Sequence, residues 1–353
     1  MIDLTDYGFS PSMPEQATEQ LPARIMAVHK DRYELISSYG KGFGQLKNGI
    51  YRTGTEPFPT TGDFVLIQYN PNGDNIIIKT LPRRSYFSRL DPSSSGHWEQ
   101  AVAANFDYVL ILQSMNQDFN QRRLERYLTL SWQSGALPVV VLTKSDLTEN
   151  PEHWREKAQQ TAMGTTVLTV SAKTGDGLER LAEYLQPQKT AVLLGSSGVG
   201  KSSLVNALLG ERKMNTSVIR ERDGKGRHTT THRQLLMLPS GAMVIDTPGM
   251  RELGMWDLSQ GLDGAFADVE QHLGHCKFRD CKHQSEPGCA VKEAIARGML
   301  SLERWNSYNA LKKERKYTES KTHYLREKQQ WHKNLAKQNR LRENKQKEYG
   351  GKN

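Results

Sequence analysis

The stretch TAVLLGSSGVGKSSLVNALLG, residues 190–210, decides the fold. TAVLL is a short, wholly apolar run of the kind that forms a buried parallel strand. Three glycines follow within six residues, Gly195, Gly198 and Gly200, and then Lys201, Ser202 and Ser203 open an apolar helical pattern that stops at Gly210. The pattern is G-x-x-x-x-G-K-[ST] between a strand and a helix. Such glycines let the backbone N–H groups of Ser196, Ser197, Gly198, Val199 and Gly200 turn onto phosphate oxygens, at a helix N-terminus whose dipole favours an anion. Lys201 is expected to reach the β- and γ-phosphates and Ser202 to ligate Mg²⁺.

The same alternation extends on both sides. DYVLILQ (107–113), LPVVVLT (137–143), TTVLTV (165–170) and AMVID (242–246) read as strands. Helical patterns fall at 120–135, near 151–163 and at 177–186. Apolar strands alternating with helices predict a parallel sheet with helices on both faces, and such sheets bind ligands at the C-terminal ends of their strands. Three more loops fall at those ends. VIDTPG puts Asp246 where a carboxylate supports Mg²⁺ and Gly249 where an N–H senses the γ-phosphate. TKSD (Thr143, Lys144, Ser145, Asp146) places a carboxylate that can accept both N1–H and N2–H₂ of guanine, a donor pair that adenine lacks. Thr143 stands where this motif usually has Asn, and its hydroxyl can tie neighbouring loops. Ser171, Ala172 and Lys173 form the expected backing loop for the base. Between phosphate loop and Asp246, DGKGRHTTTHRQL (223–235) suits a switch loop, with Thr230 or, preferably, Thr231 facing Mg²⁺.

The N-terminal part has another rhythm. Residues 1–20 read as a mobile leader, and 21–85 as about five short strands, with Asn-Gly in NPNGDN (70–75) between β-branched runs. An OB-like β-barrel is expected. Residues 88–100, with Pro and a Ser run, read as a linker. After a 100–255 nucleotide domain, helical segments with all three cysteines of the chain occupy 256–300. Residues 301–353 hold 15 Lys+Arg and 6 Asp+Glu, the whole of the chain's net +9. Such a segment suits a polyanion, and Tyr317, Tyr324 and Trp331 within it are placed either to stack on bases or to bury against a helix. No apolar run approaches the ~18 residues of a membrane span, and the acidic, polar start lacks signal-peptide character. A cytoplasmic monomer with no membrane partner is expected.

The motif order is TKSD, SAK, phosphate loop, switch threonine, DTPG, whereas an ordinary GTPase has the last three first. With a β-barrel before it, a Cys/His cluster after it, and GRHTTT and DTPGMRELG within it, the chain resembles the RsgA (YjeQ) family of circularly permuted GTPases that depend on the small ribosomal subunit. The resemblance covers about residues 21–300. It implies GTP/GDP and Mg²⁺ at the nucleotide site, ribosome-stimulated hydrolysis, and the small ribosomal subunit with its rRNA as partner in late maturation. It also implies one structural Zn²⁺ on Cys276, Cys281, His283 and Cys289, spaced C-x₄-C-x-H-x₅-C. His272 and His275 are near enough to be alternative fourth ligands, and the family pattern favours His283. Met250 stands where many GTPases place a water-orienting Gln, so unassisted hydrolysis is expected to be slow, with His228 as the candidate substitute. Two competing classes are a P-loop ATPase or small-molecule kinase, and an RNA-binding protein that uses nucleotide only structurally.

Overall fold

The computed structural model describes residues 1–10, 20–30, 32–47, 49–51, 56–90, 99–210, 233–246, 261–284 and 286–316. Five strands among them form the N-terminal barrel: β1 (Leu21–Val28), β2 (Tyr33–Ser37), β3 (Gly40–Leu46), β4 (Phe64–Gln68) and β5 (Asn75–Thr80). The order is β1-β2-β3-β5-β4, and β4 pairs back to β1 to close it. Ala23, Ile25, Leu35, Tyr51, Val65, Ile67 and Ile77 fill the interior. The Asn-Gly segment makes the turn from β4 to β5, with Asn70 accepting from the Asn72 N–H.

The second sheet holds β8 (Tyr108–Ser114), β9 (Leu137–Thr143), β10 (Thr166–Thr169), β11 (Thr190–Leu194), β12 (Gln234–Met237) and β13 (Met243–Asp246), in the order β10-β9-β8-β11-β13-β12. All pairings but β12–β13 are parallel. That antiparallel edge was not part of the sequence expectation. Successive side chains on a strand point to opposite faces, and the sheet uses both. Val109, Ile111, Val140, Leu142, Val192 and Leu194 face one helical layer. Leu110, Leu112, Val139, Val141, Ala191 and Leu193 face the other. The first layer holds α1 (Gln121–Gln133) and α2 (Pro151–Thr161), and the second α3 (Leu178–Ala182) and α4 (Lys201–Leu209). The C-terminal unit, α5 (Gly261–Ala265), α6 (Ala267–Glu270), α7 (Ala290–Ala296) and α8 (302–316), joins the first layer.

Two expectations need correction. Residues 1–10 are not a mobile leader: a 3₁₀ turn at Leu4–Tyr7 is capped by Asp3, Leu4 is buried in the α1-side core, and Phe9 packs edge-on against Phe64. The flanks of the expected linker are strands, β6 (Tyr86–Leu90) and β7 (Glu99–Ala104), paired as an antiparallel hairpin. Ordering an apolar residue such as Leu4 is repaid by its burial, which a polar-looking local composition hides.

Arg24 fixes the barrel to the sheet. Its fully buried guanidinium donates to Asn105 O and Thr190 Oγ1, both at 3.0 Å, to Gly62 O at 3.3 Å, and to Tyr7 O. Burial, with Arg84 nearby, pulls its pKa down to about 9, so it remains charged at neutral pH. Four segments distant in sequence thus share one cation: the N-terminal turn, the barrel, the β7–β8 turn and β11. Gly62 makes the close approach possible, because a Cβ there would lie 2.1 Å from Ala104 O. A single pair, Ala27 with Gln234, runs the barrel sheet into the second sheet.

Candidate functional site

The phosphate loop forms as the spacing demands. Gly198 and Gly200 have φ of +74° and +108°, in the left-handed region, and Gly200 caps α4. Gly195 is held close to β8, where a Cβ would meet Leu112 O at 3.0 Å. Lys201 bends over the loop, its Nζ donating to the carbonyls of Gly195 and Ser196 at 2.7 Å each. Ser202 and Ser203 occupy the first turn of α4. Asp246 ends β13 nearby. Burial pushes its carboxyl above the ordinary aspartate range, and the Lys201 ammonium pulls it back.

The base-reading loops stand beside it. Thr143 Oγ1 donates to Val199 O of the phosphate loop at 2.6 Å. Lys144 adopts φ +61°, turning the chain into a 3₁₀ turn, Ser145–Leu147, and the Ser145 N–H meets Val170 O at 3.3 Å. The Ser171 hydroxyl donates to Asp146 Oδ1 at 2.7 Å and itself accepts from the Lys173 and Thr174 N–H groups at 3.2 Å. Ala172 sits within that turn. One exposed carboxylate is thereby held through one oxygen by a buried hydroxyl.

A third loop joins them that the sequence reading did not single out. Ser196 Oγ donates to Asp118 Oδ2 at 2.8 Å, and Arg123 Nη2 lies 3.1 Å from the same oxygen. Arg123 Nη2 also reaches Gln113 Oε1 at 3.3 Å. In sequence, Asp118 precedes an amphipathic helix and reads only as a capping acid. Thr230, Thr231, His228, Gly249 and Met250 lie outside the described residues.

In the C-terminal unit the ligand atoms of Cys276, Cys281, His283 and Cys289 all lie within 4.8 Å of one another. Cys276 and Cys289 Sγ are 4.0 Å apart, and each is 3.4 Å from His283 Nδ1. Tetrahedral zinc with its usual bond lengths requires S···S and S···N edges of about 3.8 and 3.5 Å. The donor set fits. His283 joins the cluster, while His272 and His275 do not. Burial and Lys312 hold the His283 imidazole below its ordinary range, toward the neutral form a ligand needs. Its ring meets Trp305 of α8 edge-on at 5.5 Å.

A strand-end carboxylate held by Ser171, then a strand–glycine loop–helix unit, then a half-buried carboxylate at the end of β13, met in this order along the chain, define a circularly permuted P-loop GTPase. Residues 80–256 match the profile described as RsgA GTPase. The small ribosomal subunit biogenesis GTPase RsgA 1 of Listeria innocua is 44% identical over 317 residues, covering 89% of this chain and 90% of that one. The small ribosomal subunit biogenesis GTPase RsgA of Methanosarcina acetivorans is 41% identical over 302 residues, 85% of this chain and 81% of that one. The crystal structure of YjeQ from Thermotoga maritima superposes with a TM-score of 0.63 at 25% identity, covering 84% of this chain and 98% of that chain. YloQ, titled a circularly permuted GTPase, shares the fold with a TM-score of 0.58 at 24% identity, over 86% and 98%. The chain belongs to the RsgA GTPase family. A profile described as ABC transporter also matches, at residues 178–349, less than half of the chain. That match begins after the base-reading loops and contains the strand–phosphate loop–helix unit, a phosphate-binding device used by many nucleotide-binding proteins.

Proposed function

We propose that this GTPase acts in late maturation of the small ribosomal subunit and hydrolyses GTP fastest when bound there. The naming of its relatives as small ribosomal subunit biogenesis enzymes supports the partner. Single residues are assigned as follows. Asp146, aligned by Ser171, selects guanine, with the Lys144 stem along the base and the Ser171–Ala172–Lys173 turn behind it. The N–H groups of Gly195 to Gly200 cradle the phosphates and Lys201 neutralises them. Ser202 and Asp246 hold Mg²⁺, directly and from behind, together with Thr231 or Thr230 of the switch loop. When bound, Mg²⁺ would supply charge neutralisation at the phosphates. Gly249 reports the γ-phosphate, and His228 orients the attacking water once the partner arranges its loop. Cys276, Cys281, His283 and Cys289 hold one structural Zn²⁺, a closed set that leaves no position for water.

The observation that carries this reading is the tie between the two halves of the site: Thr143 bonded to the phosphate loop and Asp146 held by Ser171. RNA contact is supported by the barrel surface. Exposed Tyr39 and Tyr69 stack at 4.2 Å, and Arg32 lies 4.0 Å over exposed Phe43, a basic-aromatic face of the kind that receives bases. The +9 segment at 301–353 adds charge for phosphate contact. We assign the protein to the cytoplasm as a monomer between ribosome encounters, and among the described residues no helix is long and apolar enough to cross a membrane. The test is GTP turnover with and without purified small ribosomal subunits. Stimulation of at least tenfold is expected, abolished for His228→Ala. Equal rates in both conditions overturn the ribosomal reading.

A further inference from the structure

Helix α1 touches the nucleotide site at one end and the C-terminal unit along its flank. At its start, Ser114 and the Asp118 N–H both bond to Asn116 Oδ1, and Asn120 caps the helix by accepting from the Arg123 N–H. Asp118 in that stiff loop accepts from Ser196 of the phosphate loop, and Arg123, one turn into the helix, holds Asp118 while reaching buried Gln113. Gln113 Nε2 and Arg123 Nε are buried without a partner, so the arrangement is costly and persists because its other contacts determine it.

Further along, Glu125 points to the opposite neighbour. Arg304 of α8 is 3.1 Å from Glu125 and binds Asp268 of α6 twice, at 2.8 and 3.0 Å. It also donates to Ala265 O at 2.6 Å and lies 4.1 Å over the Phe266 ring. All three charges are nearly buried, where breaking an ion cluster is costly and its geometry is specific. The backbones meet as well: a Cβ on Gly261 of α5 would lie 2.1 Å from Thr129 O, and one on Gly264 would lie 3.0 Å from Trp132 Cγ. Gly261 thus lies directly against the α1 backbone and Gly264 against the Trp132 ring, so α5 packs closely on α1. Asp118 stands three residues before α1 begins at Gln121, and Glu125 lies in the second turn of that helix.

We infer that α1 is a rigid link between the Cys/His unit and the phosphate loop. Asp118 and Arg123 are positioning residues that hold Ser196, and the Arg304–Glu125–Asp268 cluster anchors the far side. A displacement of the C-terminal unit is then delivered to the phosphate loop without passing through the DTPG segment. The inference rests on the GTPase reading and names a regulation of that same site.

The test uses the full-length, zinc-loaded chain and the release rate of a fluorescent GDP analogue. Asp118→Ala is expected to speed release about fivefold, within the usual range of site-to-site coupling. Asp118→Asn keeps an acceptor for Ser196 and restores most of the slow rate, which a merely structural loss would not allow. Glu125→Gln, which keeps shape but removes the anchoring charge, also speeds release, yet adds nothing in the Asp118→Ala background, because both act through one path. If Glu125→Gln leaves release unchanged, or multiplies it equally in both backgrounds, the link is overturned. Asp268→Asn replaces Glu125→Gln if that variant does not fold. Failure of the parent protein to bind the GDP analogue would instead break the nucleotide assignment.

Discussion

Around Lys201 and Asp146, the candidate site sits on loops at the ends of strands whose apolar residues fill a core on both faces. Around Cys276, none of the described residues from 271 to 288 is buried, and four side chains converge at the edge of the core that Cys289 joins. In the first region the fold exists before the ligand, so polar side chains can be specialised at small cost to stability. The second is a donor cluster of the kind that, where a metal is bound, couples metal binding to folding.

The largest break in this comparison is Cys281→Ser. Zinc in such sites contributes on the order of 10 kcal/mol to local folding, so zinc content is expected to fall and amide exchange over 271–289 to accelerate by orders of magnitude. GDP binding by the other region is expected to survive. Lys201→Ala runs the other way: hydrolysis falls about 10²–10³-fold, as when a preorganised charge is removed from a transition state, while zinc stoichiometry is unchanged. Asp146→Asn removes a charged acceptor worth about 1.5–3 kcal/mol, so guanine preference drops roughly 10–100-fold and xanthosine nucleotides gain, read by competition binding. Ser171→Ala deletes one neutral donor to Asp146, worth about 1 kcal/mol, and sharpens the comparison: GDP affinity weakens about fivefold with the melting temperature nearly constant. A large loss of stability for Ser171→Ala would show that the nucleotide loops carry the fold after all.

The comparison also explains what could be read in advance. The phosphate loop, TKSD, SAK and the Cys/His spacing are local, because glycine conformation, a strand-end carboxylate and metal-ligand spacing are constrained over a few residues. The β8 to β11 strands follow from short-range hydrophobic pattern for the same reason. Arg24 was invisible: its partners stand at positions 7, 62, 105 and 190, and no local pattern marks a cation that will be buried by four segments. Arg304 and Glu125, 179 residues apart, escaped in the same way. The β6–β7 hairpin was hidden by the Pro and Ser run between its strands, which reads as linker because turn residues dominate its composition. Spacing alone left His272 and His275 open beside His283; the family pattern favoured His283, and the coordinates place it in the cluster.

The position of β11 in the sheet has a consequence for synthesis. This strand enters between β8 and β13, and the chain reaches it about 75 residues after finishing β8. At the usual elongation rate of about 5–20 residues per second, roughly 4–15 s elapse with the β8 edge uncovered while β9 and β10 can already pair. The half of the sheet that carries TKSD and SAK therefore emerges with one open edge. The phosphate loop, fixed by Thr143 and Leu112, takes its shape on a surface that is already made. The last strand of this sheet to be made, β13, pairs with β11 on the side away from β8 and carries Asp246 at its end.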